Sequence, residues 1–240
     1  MPTPFANIIR RQLLLALAVS PVACAIRSLP PLATQPLPAP PGGVTVRPPQ
    51  VGQAWTYRQL NHFNGQLLAE VRETVAAVDQ RVVVERQAGK LALPAEHHGP
   101  WGQLLRDPVW DYPLNLEHPV PLWPTALIPG QVQRVDTHFK EDGGSYRSWV
   151  QVYTVVKGWE RVTVAAGTFD TVRVERLIRL QHRDINRLET VRRDVLWLAP
   201  AVGRWVARDT SGRYREPDDD KLGGSEYMEA HFRWELTAWQ

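Results

Sequence analysis

Cysteine is almost absent: Cys24 is the only one among 240 residues. One thiol excludes an internal disulfide framework and any zinc site built from several cysteines. Lysine is nearly as scarce, with only Lys90, Lys140, Lys157 and Lys221 against many arginines. No apolar run reaches the ~18 residues that suggest a membrane-spanning helix. Beyond the N-terminal apolar run, no 3.6-residue periodicity lasts three turns. The Gly-x-Ser-x-Gly elbow, phosphate loop, dinucleotide fingerprint, His-Glu-x-x-His pattern and EF-hand loop are all missing. The chain carries no local signature of a hydrolase, nucleotide enzyme or metalloprotease, and neither a cofactor nor a metal is expected.

The formal charge of +3 and pI near 9.2 do not point to nucleic acid. Arg10 and Arg11 fall in the N-terminal region, which has no acidic residue; without them 26 basic residues stand against 25 acidic. The remaining charges are interspersed, with no basic block to track phosphates.

The N-terminus has the layout of a secretory signal. Arg10-Arg11 supply a positive region, Leu13 to Val19 a short apolar core, and small residues follow. The pair with Gln12, Leu13 and Leu14 also faintly resembles a twin-arginine signal. Ala23-Cys24 resembles the end of a bacterial lipoprotein lipobox, with Pro21 where an aliphatic residue is usual; cleavage there makes residues 1–23 the signal and Cys24 a lipidated first residue. The alternative reads Ala23-Cys24-Ala25 as A-x-A, cuts after Ala25 and discards the thiol. Residues 24–50, rich in proline, are expected to be a semi-rigid tether. Residues 51–240 form one β-rich domain.

From Val51 on, the dominant period is two. Asn64-Gly65 between alternating runs is a hairpin signal. Strands are predicted at Arg81–Gln87, Val132–Phe139, Tyr146–Lys157, Glu160–Val164, Thr168–Gln181, Leu188–Leu198, Gly203–Asp209 and Tyr227–Trp239. The last puts Met228, Ala230, Phe232, Trp234, Leu236 and Ala238 on a dry face and Arg233 and Glu235 on a largely wet one. Glu141 to Gly144, Ala165 to Gly167 and Ser211-Gly212 read as short connections. Such spacing predicts an all-β fold, an antiparallel sheet forming an open half-barrel or sandwich.

Between Pro94 and Gly130 lie eight prolines and three tryptophans, Trp101, Trp110 and Trp123. Proline is excluded from central strands, so this stretch is expected to be a loop covering the sheet. Its tryptophans either close the core or face a ligand. Trp55, Trp149, Trp197 and Trp234, at alternating strand positions, are expected in the core.

The seven histidines, His62, His97, His98, His118, His138, His182 and His231, show no ligand spacing. His97 and His98, beside Glu96, point opposite ways on an extended chain and are read as surface or loop residues. Asp218 to Asp220 reads as a solvated loop.

VTVAAGTFDTVRVE (Val162–Glu175) and WLAPAVGRWV (Trp197–Val206) together resemble uncharacterised exported β-rich proteins of proteobacteria, some of them similar to the half-barrel of periplasmic lipoprotein carriers. The motifs are turn chemistry: Gly167 permits a reversal after which Phe169 re-enters the core, and Pro200 and Gly203 end one strand and turn into the next. The resemblance implies a fold and an envelope location, and brings no catalytic residue.

The expected function is a non-catalytic envelope protein facing the periplasm, an outer-membrane lipoprotein held only by lipid on Cys24, or soluble in the periplasm if Cys24 is removed. It would bind an apolar or amphipathic ligand, or an envelope protein, with Trp101, Trp110 or Trp123 as anchors. The alternatives are an assembly lipoprotein without a cavity and an envelope hydrolase built from dispersed acids and histidines.

Overall fold

The computed structural model describes residues 29–218, 220 and 222–240; Cys24 and the signal lie outside them. The described chain contains fourteen strands and no helix. In order they are β1 (Ala33–Leu37), β2 (Ala54–Asn61), β3 (Leu67–Val78), β4 (Val82–Ala88), β5 (Leu91–His98), β6 (Gln103–Asp107) and β7 (Leu114–Pro121). There follow β8 (Val132–Lys140), β9 (Ser148–Val164), β10 (Gly167–Leu180), β11 (Glu189–Ala199), β12 (Arg204–Glu216), β13 (Ser225–Met228) and β14 (Phe232–Trp239).

All pairings are antiparallel, so the all-β reading holds, and the sheet closes instead of remaining open. Twelve strands run β9-β10-β11-β12-β14-β2-β3-β4-β5-β6-β7-β8, and β8 returns to β9. The seam works because β9 is 17 residues long and is shared on one edge. Ser148–Val155 pair with β8, and Trp159–Thr163 pair with β1. Sequence alternation suggests two strands here; the structure has one. The register between β9 and β10 shifts at Arg173/Val174, opposite Gly158, a β-bulge that adds one residue to β9.

The Pro/Trp-rich stretch does more than cover the sheet, because it supplies wall strands. Its prolines sit where the ladder is thin: β5 and β6 share two paired positions, as do β7 and β8. The loops between these strands bring Trp101 and Trp123 against the core. Residues 29–50 do not form a free tether either. β1 pairs with β9, Leu32, Leu37, Val44 and Val46 pack on the core, and the Arg47 amide donates to the Pro200 carbonyl. The Ala-Pro-x-Val-Gly turn is thus a docking point: Gly203 has φ +81°, and a Cβ there would strike the Arg47 carbonyl.

Several finer expectations are corrected. The Tyr227–Trp239 run breaks at Glu229–His231 into β13 and β14, leaving Met228 exposed. Arg233 and Glu235 are buried on the supposedly wet face, because Arg233 pairs with Asp209 and donates to the Pro30 carbonyl of the docked N-terminal segment. Ser211-Gly212 is no turn and lies inside β12. Trp149 faces outward and is 42% exposed, while Trp55, Trp197 and Trp234 are buried.

An eight-stranded barrel is just filled by ordinary side chains, and wider ones leave room. Twelve strands need bulk, and the largest fully buried side chains here include Trp55, Trp205, Tyr57, Arg192, Arg204 and Arg208. Along the inward faces, Val156-Thr154-Val152 and Val174-Arg176-Ile178 pass from one apolar cluster, through a polar layer, to a second. The interior is a packed core crossed by charge.

Candidate functional site

The buried arginines are all paired. Arg204 donates from Nε to Glu73 at 2.8 Å and from Nη1 to Glu96 at 2.9 Å. Arg86 reaches the other Glu73 oxygen at 3.1 Å, and His98 Nε2 lies 2.7 Å from Glu96. His98 is therefore an interior residue, contrary to the surface reading, while His97 faces the other way and is half-buried. Trp55, Trp101 and Trp205 surround the Arg204 guanidinium at 5.2–5.7 Å. Deeper along the barrel, Asp194 takes Arg208 on both oxygens at 2.8 Å and Arg176 at 2.6 Å. These groups have no access to solvent and serve the core.

The chemistry open to solvent lies in a cleft of about 440 Å³, where the loop before β7 and the β13–β14 connection meet β12. Trp110, Tyr214, Met228, Ala230, Phe232 and Val109 form its apolar wall; Arg187, Arg192, Asp111, Glu229 and Gln59 supply polarity. Arg192 pairs across β11–β12 with Gly212, whose missing side chain leaves room for Glu229. The Glu229 amide donates to the Gly212 carbonyl, and its carboxylate accepts from Arg192 at 2.8 and 3.0 Å and from Arg187 at 2.8 Å. Arg192 also bonds Asp111 at 2.7 Å and lies 4.6 Å from the Trp110 ring centre.

His182 completes the constellation. Its Nδ1 accepts the Asp184 amide at 3.0 Å, so the proton sits on Nε2, which donates to Asp111 at 3.1 Å. Burial alone would raise the Asp111 carboxyl; the His182 hydrogen bond and the Arg192 charge outweigh it and hold it at about 2. Asp111 is a fixed anion at neutral pH, and Glu229 is held by two arginines. Three donors around the cleft have no partner: Trp110 Nε1, Arg192 Nη1 and Arg187 Nε.

Gly212→Ala is expected to push the Glu229 carboxylate off Arg192 and to cost about 1.5–3 kcal/mol, the range for a lost charged hydrogen bond. Thermal melting should show the loss in Gly212→Ala and no further loss when Glu229→Gln is added.

Of the three candidate tryptophans, only Trp110 lines this cleft. Trp123 is buried, and Trp101 stacks on Trp55 and donates to the Gly203 carbonyl at 2.9 Å. Sequence reading did not find Arg192, Arg187, Asp111 or Glu229, whose residue types are common and whose meeting depends on barrel closure. The bare Gly212 inside a β-pattern is the one signal that could have marked a close approach. Asp218 in the acidic loop accepts a hydrogen bond from Ser225.

No protein-family model matches the chain, and no curated protein matches it. Solved structures do. A protein of Bacteroides fragilis, named as exported and as having a YmcC-like fold, aligns with a TM-score of 0.51 at 14% identity, over 82% of this chain and 99% of that one. A protein of Parabacteroides distasonis named as a lipoprotein gives 0.52 at 13%, over 82% and 99%. The hypothetical lipoprotein YmcC of Escherichia coli gives 0.45 at 13%, over 78% and 83%. At these identities the likeness is one of fold: the chain has the YmcC-like fold, and the proteins that share it are not confined to proteobacteria.

Proposed function

We propose that the chain is a non-catalytic protein of the bacterial cell envelope, anchored by lipid on Cys24 and facing the periplasm, that binds an amphipathic ligand in the Trp110 cleft. The observation that carries this reading is the cleft itself. Its volume lies within the range of small-molecule sites, and its apolar wall is set beside the charged Arg187, Arg192, Asp111 and Glu229. The barrel interior is occupied by its own tryptophans and arginines. A non-catalytic role is supported by the mutual pairing of every acid and base in the cleft. The signal pattern and the names of the fold neighbours support the envelope location.

The docked N-terminal segment bears on how the domain would sit. Pro30 is fastened to Arg233, so only five residues lie between a lipidated Cys24 and that fastening point. At ~3.5 Å per extended residue this places the barrel within roughly 20 Å of the anchor.

The test is incubation of the delipidated domain with envelope lipid extract, followed by native mass spectrometry. A discrete adduct is expected, bound at least tenfold more weakly by Trp110→Ala. No adduct, or one indifferent to Trp110→Ala, would overturn the reading.

A further inference from the structure

His62 follows β2, His231 precedes β14, and Asp209 lies in β12. The strand order β12-β14-β2 sets them side by side. The His62 amide donates to the His231 carbonyl at 3.0 Å, which holds the two imidazoles face to face, with centroids 3.7 Å apart and planes at 9°. Both rings turn a nitrogen toward the same carboxylate oxygen. His231 Nε2 lies 2.8 Å and His62 Nδ1 3.5 Å from Asp209 Oδ1.

We propose that His62, Asp209 and His231 form a binding site for one divalent transition-metal ion of the zinc class. The three donor atoms lie within 4.8 Å of one another. Imidazole nitrogen ligates in the plane of its ring, so one ion at the usual ~2.0–2.2 Å reaches all three once one imidazole turns out of the stack toward Asp209. Two imidazoles and a carboxylate suit zinc, copper or nickel and not calcium or magnesium, which take oxygen ligands.

The details of the cluster favour an ion over a simple hydrogen-bonded group. His62 Nδ1 is shielded from solvent and has no hydrogen-bond partner. His62 Nε2 and His231 Nδ1 make no hydrogen bond among the described residues, so each ring can carry its proton on the far nitrogen and offer the near one as a ligand. Arg233 engages only Oδ2 of Asp209, at 3.3 Å, which leaves Oδ1 for the ion. All three side chains retain some exposure, so a fourth position can be filled by water. The comparable set of Asp111, His182 and Glu229 is unsuitable, since the Arg192 cation already sits between its carboxylates and the Asp184 amide fixes the His182 tautomer.

The test uses the untagged chain carrying Cys24→Ser, so that no thiol competes, stripped with chelator and titrated with zinc by calorimetry. One ion per chain is expected, with affinity reduced at least tenfold in His62→Gln and in His231→Gln and unchanged in Asp111→Asn. Absence of binding, or binding unchanged in both histidine variants, would overturn the proposal. A measurement on the unaltered rings guards against misfolded variants. In long-range ¹H–¹⁵N spectra zinc should shift the His62 and His231 nitrogens and leave His97 and His118 unmoved. Zinc shifts confined to other histidines would equally overturn it. Lipid binding at the Trp110 cleft is a separate outcome, and its failure would leave this site untouched.

Discussion

Arg204→Ala is expected to destabilise the barrel by about 3–5 kcal/mol, the usual cost of removing one partner from a buried ion pair. Arg204 is fully buried and is the shared cation for Glu73 and Glu96, both equally sequestered. Without it, Glu73 retains Arg86 at 3.1 Å, but Glu96 keeps only His98. Burial pushes the Glu96 carboxyl up, and at present Arg204 and His98 more than offset that, holding it well below the carboxylate range. With the arginine gone the burial effect prevails, so Glu96 takes up a proton or drags water inward. The loss also removes the cation from the Trp55, Trp101 and Trp205 cage. Arg204→Lys should rescue little, because a point ammonium cannot serve two carboxylates at once as a planar fork does. Urea unfolding followed by tryptophan fluorescence measures the effect; a loss below about 1 kcal/mol, the range of exposed pairs, would contradict it. Since whole domains are stable by only about 5–15 kcal/mol, the variant is expected to accumulate poorly.

Asp194→Asn is expected to cost a comparable ~3–5 kcal/mol for the opposite reason. Asp194 is the single carboxylate bridging Arg208 and Arg176, all three buried. The amide keeps the shape but removes the negative charge, leaving two guanidiniums facing each other in the polar layer. Asp107, whose charge also acts on Arg208, compensates only part of this. The internal control is Asp170→Asn. Asp170 bonds Arg161 at 2.7 Å, as short as the buried pairs, but both side chains are about half exposed. Water and entropy reduce such a pair to ~0–1 kcal/mol, so its loss should scarcely move the unfolding midpoint. Equal effects of the two substitutions would show that the polar layer is wetter than its burial indicates.

These two clusters explain why the barrel interior is filled. A twelve-stranded wall encloses more space than aliphatic side chains fill, and this chain fills it with tryptophan and arginine. Each buried arginine then requires a buried acid, and the interior is committed to that pairing. The Trp110 cleft is where such paired charges reach the surface.

Much of the fold was legible in the amino-acid order because its cause is local. The period of two along β9, β10, β11 and β12 follows from side chains alternating across a strand, and Asn64-Gly65 and Ala165-Ala166-Gly167 turn where glycine chemistry allows. These features establish an all-β antiparallel protein by themselves. The sequence alone also defines the export pattern and the two readings of Cys24. Tertiary structure decided the remainder, because it depends on which strands become neighbours across long stretches of chain. Closure of β8 onto β9, the inward turn of Trp101 and Trp123, and the docking of the proline-rich segment on the Pro200–Gly203 turn have no local cause. The same holds for the meeting of Arg192 with Asp111 and Glu229, and of His62 with His231 and Asp209. An arginine beside alternating apolar residues reads as solvated in sequence, and only a partner acid brought in by the sheet makes its burial possible.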